Sequence, residues 1–200
     1  MGNSESLPLS PTELQIMEEC TFFTRSEILR VYSKFMSLVI SYRNAAQESA
    51  HNAEDDVRSG KKRRKCLTKM EFADTEELKH NPFKERIADV FSADGVHVNF
   101  DDYLDFASVF SEEAGYDVKS FYAFRIYDHN NDGYLDEHDI RDAINKIAGP
   151  GLTEEDKKIV ALKVVEESDM DGDGRISFVE FERIVEKSPE FVDNFKIRIV

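Results

Sequence analysis

The sequence predicts an all-α protein built from helix–loop–helix units. Two observations carry that prediction. Apolar residues recur at three- and four-residue steps through most of the 200-residue chain, which is the spacing of one helix face. The breaks between these stretches are short and acid-rich, and one twelve-residue acidic pattern occurs twice, starting 41 residues apart at Asp128 and Asp169.

Residues 1 to 11 read as a flexible arm rich in Ser and Pro. Ser10 or Thr12 suits the cap of a first helix carrying Leu14, Ile16 and Met17. A longer helix follows from Ser26, with Ile28, Leu29, Tyr32, Phe35, Met36 and Val39 on its apolar face. From Asn44 to Lys65 the composition turns polar and ends in a basic run, which predicts a mobile loop insertion. Helical patterns resume over Leu67 to Leu78, and again from Pro82, suited to a first helical turn, through Ile87 to Phe91. Phe100 to Phe110, Val118 to Tyr127, Ile140 to Ala148, Asp156 to Glu167 and Phe181 to Val185 repeat the spacing. Thr153 with Asp156 forms a plausible capping pair after the Gly149-Pro150-Gly151 break. Pro189 ends the last regular helix, and an amphipathic tail follows with Phe191, Phe195, Ile197 and Ile199. The expected organisation is an arm (1–11), an N-terminal lobe (12–111), a C-terminal lobe (112–188) and an extension (189–200).

Composition excludes several classes. Asp and Glu outnumber Lys and Arg 41 to 26, a net charge of −15, whereas a nucleic-acid binder needs a basic footprint. Cys20 and Cys66 lie far apart without CxxC spacing, so neither a disulfide framework nor a zinc ribbon is expected, and a reducing compartment suits the chain. The opening residues have no basic and apolar regions of a secretory signal, and no apolar run is long enough to span a membrane. The five histidines form no HExxH and no triad spacing, and no phosphate-binding glycine loop occurs, so no enzyme is predicted.

The repeated pattern carries the chemistry. Asp128 to Asp139 and Asp169 to Glu180 match D-x-[DN]-x-[DN]-G-x5-E, the calcium loop of an EF-hand, the first with Asp in place of the final Glu. In the first loop the expected ligands are Asp128, Asn130, Asp132, the Tyr134 carbonyl, Asp136 and Asp139; in the second they are Asp169, Asp171, Asp173, the Arg175 carbonyl, Ser177 through water and Glu180. Alternate positions of a tight loop turn oxygens inward, as a hard divalent cation requires, and Gly at the sixth position relieves the bend. Leu135 and Ile176, at the eighth positions, are expected to join the loops as a short β-bridge. Glu180 is long enough to ligate with both oxygens, whereas Asp139 is one methylene shorter. Mg2+ accepts six ligands and keeps water, so the first loop is expected to hold Mg2+ and the second to prefer Ca2+. His129 and His138 are expected to face solvent.

EF-hands pair, so the N-terminal half should hold two more units. Ser92 to Asp102 sits where a second loop belongs, but it is a residue short with misplaced acids, and the polar insertion stands in place of the first loop. No metal is expected in either.

Several segments resemble the calcium and integrin-binding proteins over essentially the whole chain: CTFFTRSEIL (Cys20 to Leu29), ELKHNPFKERI (Glu77 to Ile87), YAFRIYD (Tyr122 to Asp128) and SPEFVDNFKIRIV (Ser188 to Val200). The resemblance implies four EF-hands with the first two loops inactive. It also implies an adaptor that binds a cytoplasmic helix of a membrane protein in a hydrophobic groove, with Mg2+ or Ca2+ ordering the C-terminal lobe. The MGN start, CTFF and FKIRI look most like the branch serving transmembrane channel-like mechanotransduction channels; an integrin α-subunit tail is the other partner implied. The tail from Phe191 to Val200 is positioned to occupy such a groove and leave it when a partner arrives. The KKRRK run departs from the family pattern.

Met1-Gly2-x-x-x-Ser6 matches the N-myristoylation pattern at Gly2. One acyl chain holds a membrane only marginally, and Arg58, Lys61, Lys62, Arg63, Arg64 and Lys65 are candidates for a second, electrostatic contact. The expected location is the cytoplasmic face of the plasma membrane. A phosphatase regulatory subunit of the calcineurin B type and a cytosolic cation buffer are the competing readings.

Overall fold

A computed structural model describes residues 9–50, 65–148, 151–188, 190–191 and 195–197, residues 47–50 by their backbone alone. Helix α1 spans Pro11–Cys20 and α2 spans Arg25–Ala50. Ser10 caps α1 through a reciprocal box with Glu13, Pro11 opens the helix, and Leu9 is already buried, so residues 9–11 pack with the fold rather than belonging to an arm. The loop expected from Asn44 is corrected in its first part: α2 continues to Ala50. Ala45, Ala46, Gln47, Glu48 and Ala50 are good helix formers, and no Gly or Pro interrupts them. Polarity there marks a solvated helix end rather than a loop. The rest of the insertion, with Arg58 and Lys61 to Arg64, lies outside the described residues, as do Gly2 and Ile199; Lys65 is described and exposed.

Strand β1 (Leu67–Thr68) precedes α3 (Lys69–Ala73), and a run of turns leads to α4 (Lys84–Val90). The single helix expected over Leu67 to Leu78 is therefore a strand, a short helix and turns. Pro82 lies before the Phe83 cap rather than inside the first turn. Strand β2 (His97–Val98), α5 (Phe100–Val109) and α6 (Tyr116–Tyr127) follow, then β3 (Tyr134–Leu135) and α7 (Glu137–Ala148). The chain closes with α8 (Glu154–Ser168), β4 (Ile176–Ser177) and α9 (Phe178–Glu186). Each C-terminal helix begins two or three residues before the range expected from the sequence; at α8 the extra residues are a polar first turn capped by Thr153, and at α9 they follow the Ser177 cap. The Thr153–Asp156 box at α8 is formed as expected.

The helices are joined in pairs by antiparallel strands. Leu135 faces Ile176 across β3 and β4, the bridge expected from the eighth loop positions. Leu67 faces Val98 across β1 and β2, so the N-terminal half repeats the arrangement. Two-residue strands leave no periodicity in the sequence, and this second pair makes the fold mostly helical with two small sheets.

The cores are unequal. The N-terminal cluster is large and aromatic: Phe35, Phe72, Tyr103 and Phe106 are fully buried, and Phe72 meets Phe106 edge-on at 4.9 Å. The C-terminal cluster is small, built on Phe124, Leu135, Val165, Ile176, Phe181 and Val185. It leaves Ile147, Ile159, Val160, Leu162 and Ile184 exposed on α7, α8 and α9. The Tyr116 hydroxyl donates to the Glu182 carbonyl and ties α6 to α9.

Candidate metal centre and groove

Both predicted loops close on themselves through their first carboxylate. Asp128 Oδ1 accepts from Asp132 N at 3.2 Å and Oδ2 from Gly133 N at 3.0 Å. Asp169 accepts from Gly172 N at 2.6 Å and Gly174 N at 2.7 Å. Gly133 and Gly174, at the sixth position, have φ of 84° and 83°, the left-handed bend expected there. The carboxylates of Asp169, Asp171 and Asp173 offer oxygens within 4.8 Å of one another. In the first loop, Asn130 Oδ1 and Asp132 Oδ1 accept from Asp132 N and Tyr134 N at 2.8 and 2.9 Å.

The twelfth position reaches back in both loops, and a helix cap is the reason. Ser177 and Glu180 form a capping box at the start of α9: Ser177 N donates to Glu180 Oε2 at 2.8 Å, and Met170 N donates to Oε1 at 2.7 Å. Asp139 makes the same two contacts, with Asp136 N at 3.2 Å and His129 N at 2.9 Å, and Asp136 Oδ1 accepts from Asp139 N in return. Despite its missing methylene, Asp139 spans the loop by these two longer bonds. Thr68 with Glu71 and Asn99 with Asp102 repeat the box in the N-terminal half. One local device therefore starts the exit helix of all four units, whether or not the rest of the loop has acids.

The electrostatics differ between the loops. Asp128 and Asp139 are buried, 5% and 3% exposed, whereas Asp171 and Asp173 are exposed. Burial pushes Asp139 above the usual carboxylate range; backbone donors at Asp136 and His129 oppose this, and the charges of Asp136 and Asp128 add to it. In the second loop the Ser177 hydroxyl and the Met170 amide hold Glu180 below its ordinary value, and the Gly174 amide does the same for Asp169. A buried, mutually repelling carboxylate set and a convergent exposed one are both donor sets suited to a hard divalent cation. The Arg175 guanidinium lies 3.9 Å from the Tyr134 ring centre and latches one loop to the other. His129 and His138 are exposed, as expected.

Asp94 in the second N-terminal loop accepts from Val96 N at 2.8 Å and His97 N at 2.6 Å, and meets His97 Nδ1 at 3.0 Å. Its oxygens are engaged by the loop itself.

The tail residues come to the seam between the cores. Phe195 stacks on Phe110 at 4.5 Å and on Phe191 at 5.5 Å, and Ile197 N donates to the Phe110 carbonyl at 3.0 Å. A cavity of about 270 Å3 beneath them is lined by Phe83, Ile87, Phe110, Ala123, Ile126 and Tyr127. A second, of about 580 Å3, opens beside Phe22, Phe23, Phe110 and Ile197.

Sequence reasoning missed Arg86. It is 6% exposed on α4, and its Nη2 donates to the Arg125 carbonyl at 2.9 Å, to the Asp128 carbonyl, and to Asn131 Oδ1 at 2.6 Å. An arginine one helical turn after Phe83 and adjoining Ile87 was the available signal, because a charge on an apolar face needs a buried partner.

Residues 117–186 match the family described as an EF-hand domain pair, a Ca2+-binding module. The whole chain aligns, over the full length of both sequences, with calcium and integrin-binding family member 2 of Drosophila melanogaster at 40% identity. It aligns in the same way with family member 3 of Homo sapiens at 37% and with member 2 of Danio rerio at 36%. Among the described residues no helix is long and apolar enough to cross a membrane. With a paired-loop lobe that fits divalent cations and full-length similarity at this level, the chain belongs to the calcium and integrin-binding family of non-enzymatic EF-hand calcium-binding proteins.

Proposed function

We propose that this protein is a cation-dependent adaptor that holds one helix of a membrane protein in the apolar groove now covered by its own tail. The observation that carries this reading is the seating of Phe191, Phe195 and Ile197 across the seam between the cores, over a cavity lined by Phe83, Ile87, Phe110 and Ile126. An amphipathic partner helix offers the same apolar contacts at i, i+3, i+4 and i+7 spacing, and a net charge of −15 favours a basic one. Ile147, Ile159 and Ile184 are further apolar side chains exposed on the C-terminal lobe. A simple buffer barely opens and has no use for that surface.

The ligands in this reading are Asp128, Asn130, Asp132, Tyr134, Asp136 and Asp139 in the first working loop, and Asp169, Asp171, Asp173, Arg175, Ser177 and Glu180 in the second. A bound cation supplies positive charge that neutralises the clustered carboxylates and fixes the exit helices α7 and α9. The first site takes Mg2+ and the second prefers Ca2+, because Asp139 cannot match the bidentate reach of Glu180. The two N-terminal units are EF-hands that keep their strands and caps and take no metal. The partner is a cytoplasmic helix of a transmembrane channel-like subunit or an integrin α tail. Myristoyl at Gly2 and the basic residues Arg58 and Lys61 to Lys65 bring the protein to the inner face of the plasma membrane.

The test is calorimetric titration of the full chain with helical peptides from an integrin α cytoplasmic tail and from the intracellular segments of a transmembrane channel-like subunit, in Mg2+, in Ca2+ with Mg2+, and in chelator. Binding that needs a cation and tightens in Phe195→Ala supports the reading. Binding by neither peptide in any condition refutes it.

A further inference from the structure

Arg86 belongs to the N-terminal half of the chain, yet every hydrogen bond described for its side chain goes to the first working loop or the end of the helix entering it. The two hydrogens of Nη2 are shared among three oxygens. Two are carbonyls at the C-terminal end of α6, those of Arg125 and Asp128, where a helix leaves unpaired acceptors and favours positive charge. The third is the side chain of Asn131. That residue has φ of 58° and is the one non-glycine with positive φ among the described residues. It holds the fourth position of its loop. The second loop has Gly172 at the same position, with φ of 81°. The loop path thus demands left-handed backbone at position four. The second loop meets the demand with glycine, and the first with an asparagine held by an arginine from the other lobe. The Arg86 guanidinium is buried and, among the described residues, its Nε has no hydrogen-bond partner; the loop oxygens, with the nearby charges of Asp89 and Asp128, offset taking this charge out of water.

From this geometry we infer that Arg86 is a positioning residue for the first cation loop: it holds Asp128 and Asn131 in the binding conformation and transmits the occupancy of that loop to α4 in the N-terminal lobe. Among the described residues no arginine from the N-terminal half reaches the second loop, whose fourth and sixth positions are glycines. The inference rests on the proposed cation binding by Asp128 to Asp139. A guanidinium beside a cation site also repels the cation, and the two effects have opposite signs, so affinity decides between them.

The experiment uses the full chain and three variants. Arg86→Met keeps the volume and removes the donors, Arg86→Lys keeps the charge with a different donor geometry, and Asn131→Gly removes only the acceptor and tolerates the backbone angle. Mg2+ and Ca2+ titrations followed by backbone amide resonances of each loop separate the two sites, and amide exchange of Lys84 to Val90 reports on α4. Losing charge-assisted bonds is expected to weaken the first loop in Arg86→Met by about tenfold or more, and to leave the second loop unchanged. Asn131→Gly should weaken the first loop less, and adding it to Arg86→Met should cost little more. Cation loading should slow exchange over Lys84 to Val90 in the parent and not in Arg86→Met. Arg86→Lys should fall between. First-loop affinity that is equal or tighter in Arg86→Met, or α4 protection that still follows loading, overturns the inference while leaving the cation site standing. A parent whose first loop takes no cation overturns both. If Arg86→Met fails to fold, Arg86→Lys and Asn131→Gly decide together: first-loop affinity and α4 exchange unchanged in both refute the brace.

Discussion

Replacing Phe195 with Ala tests whether the tail is a docked element with its own free energy. Phe195 is partly buried, with one ring at 4.5 Å (Phe110) and another at 5.5 Å (Phe191), both nearly parallel to it. Burying a whole Phe side chain is worth about 1.5 to 3 kcal/mol, of which a half-buried ring keeps roughly 1. Each stacked pair adds about 0.5 kcal/mol or more. The substitution should therefore cost the docked tail about 2 kcal/mol, a shift of roughly 30-fold in the docked-to-released ratio. The Ile197 amide, which donates to the Phe110 carbonyl at 3.0 Å, reports that ratio directly. Its hydrogen exchange should speed up by about 30-fold. Exchange at Phe106, buried in the N-terminal core, should stay at the parent rate. An Ile197 amide whose protection is unaltered in Phe195→Ala would show that the ring contacts do not hold the tail, and the argument for a displaceable tail would fail with it.

Other outcomes follow from the same geometry. Asp139→Glu should tighten Ca2+ at the first loop and weaken Mg2+ competition there, while Glu180→Gln should loosen Ca2+ at the second by about 10- to 150-fold, the worth of a charged ligand bond; parent-like titration curves for Asp139→Glu would refute the loop asymmetry. Asp94 is held below the usual carboxylate range by the His97 amide first, then the Val96 amide and the His97 ring. A lowered acid stabilises the fold above its unfolded pKa, ordinarily 3.8 for Asp, and loses that contribution as pH falls below it. The Val96 and His97 amide resonances should therefore move on acidification below that value, and Asp94→Asn should abolish the movement; identical titrations of parent and variant would count against it. Phe72→Ala should destabilise the N-terminal lobe by about 3 to 5 kcal/mol in urea melts, since Phe72 is fully buried against Phe106 and Tyr103. A loss under 1 kcal/mol would mean that the site collapses around the missing ring.

The sequence by itself determined the helical class, the two acidic loops, the Leu135–Ile176 bridge and the Thr153 cap, and narrowed the first cap to Ser10 or Thr12. These are local features. Helix period, the Gly at loop position six and a cap three residues before its acid are all written within a few residues of one another, so short-range sterics and hydrogen bonds decide them. The polar stretch after Asn44 is helical as far as Ala50, although its composition suggests a loop, because its alanines and glutamate favour helix whatever their solubility. Leu67 and Thr68 carry no strand signal, because two residues have no period. Only their pairing with Val98 and His97, some thirty positions away, makes them a strand. Tertiary structure alone decided the rest: which rings the tail meets, the uneven cores that leave Ile147 and Ile159 exposed, and the reach of Arg86 into the loop at Asp128. Each depends on which surfaces of distant elements meet in space, and a contact between residue 86 and residue 131 leaves no spacing in the chain from which to read it.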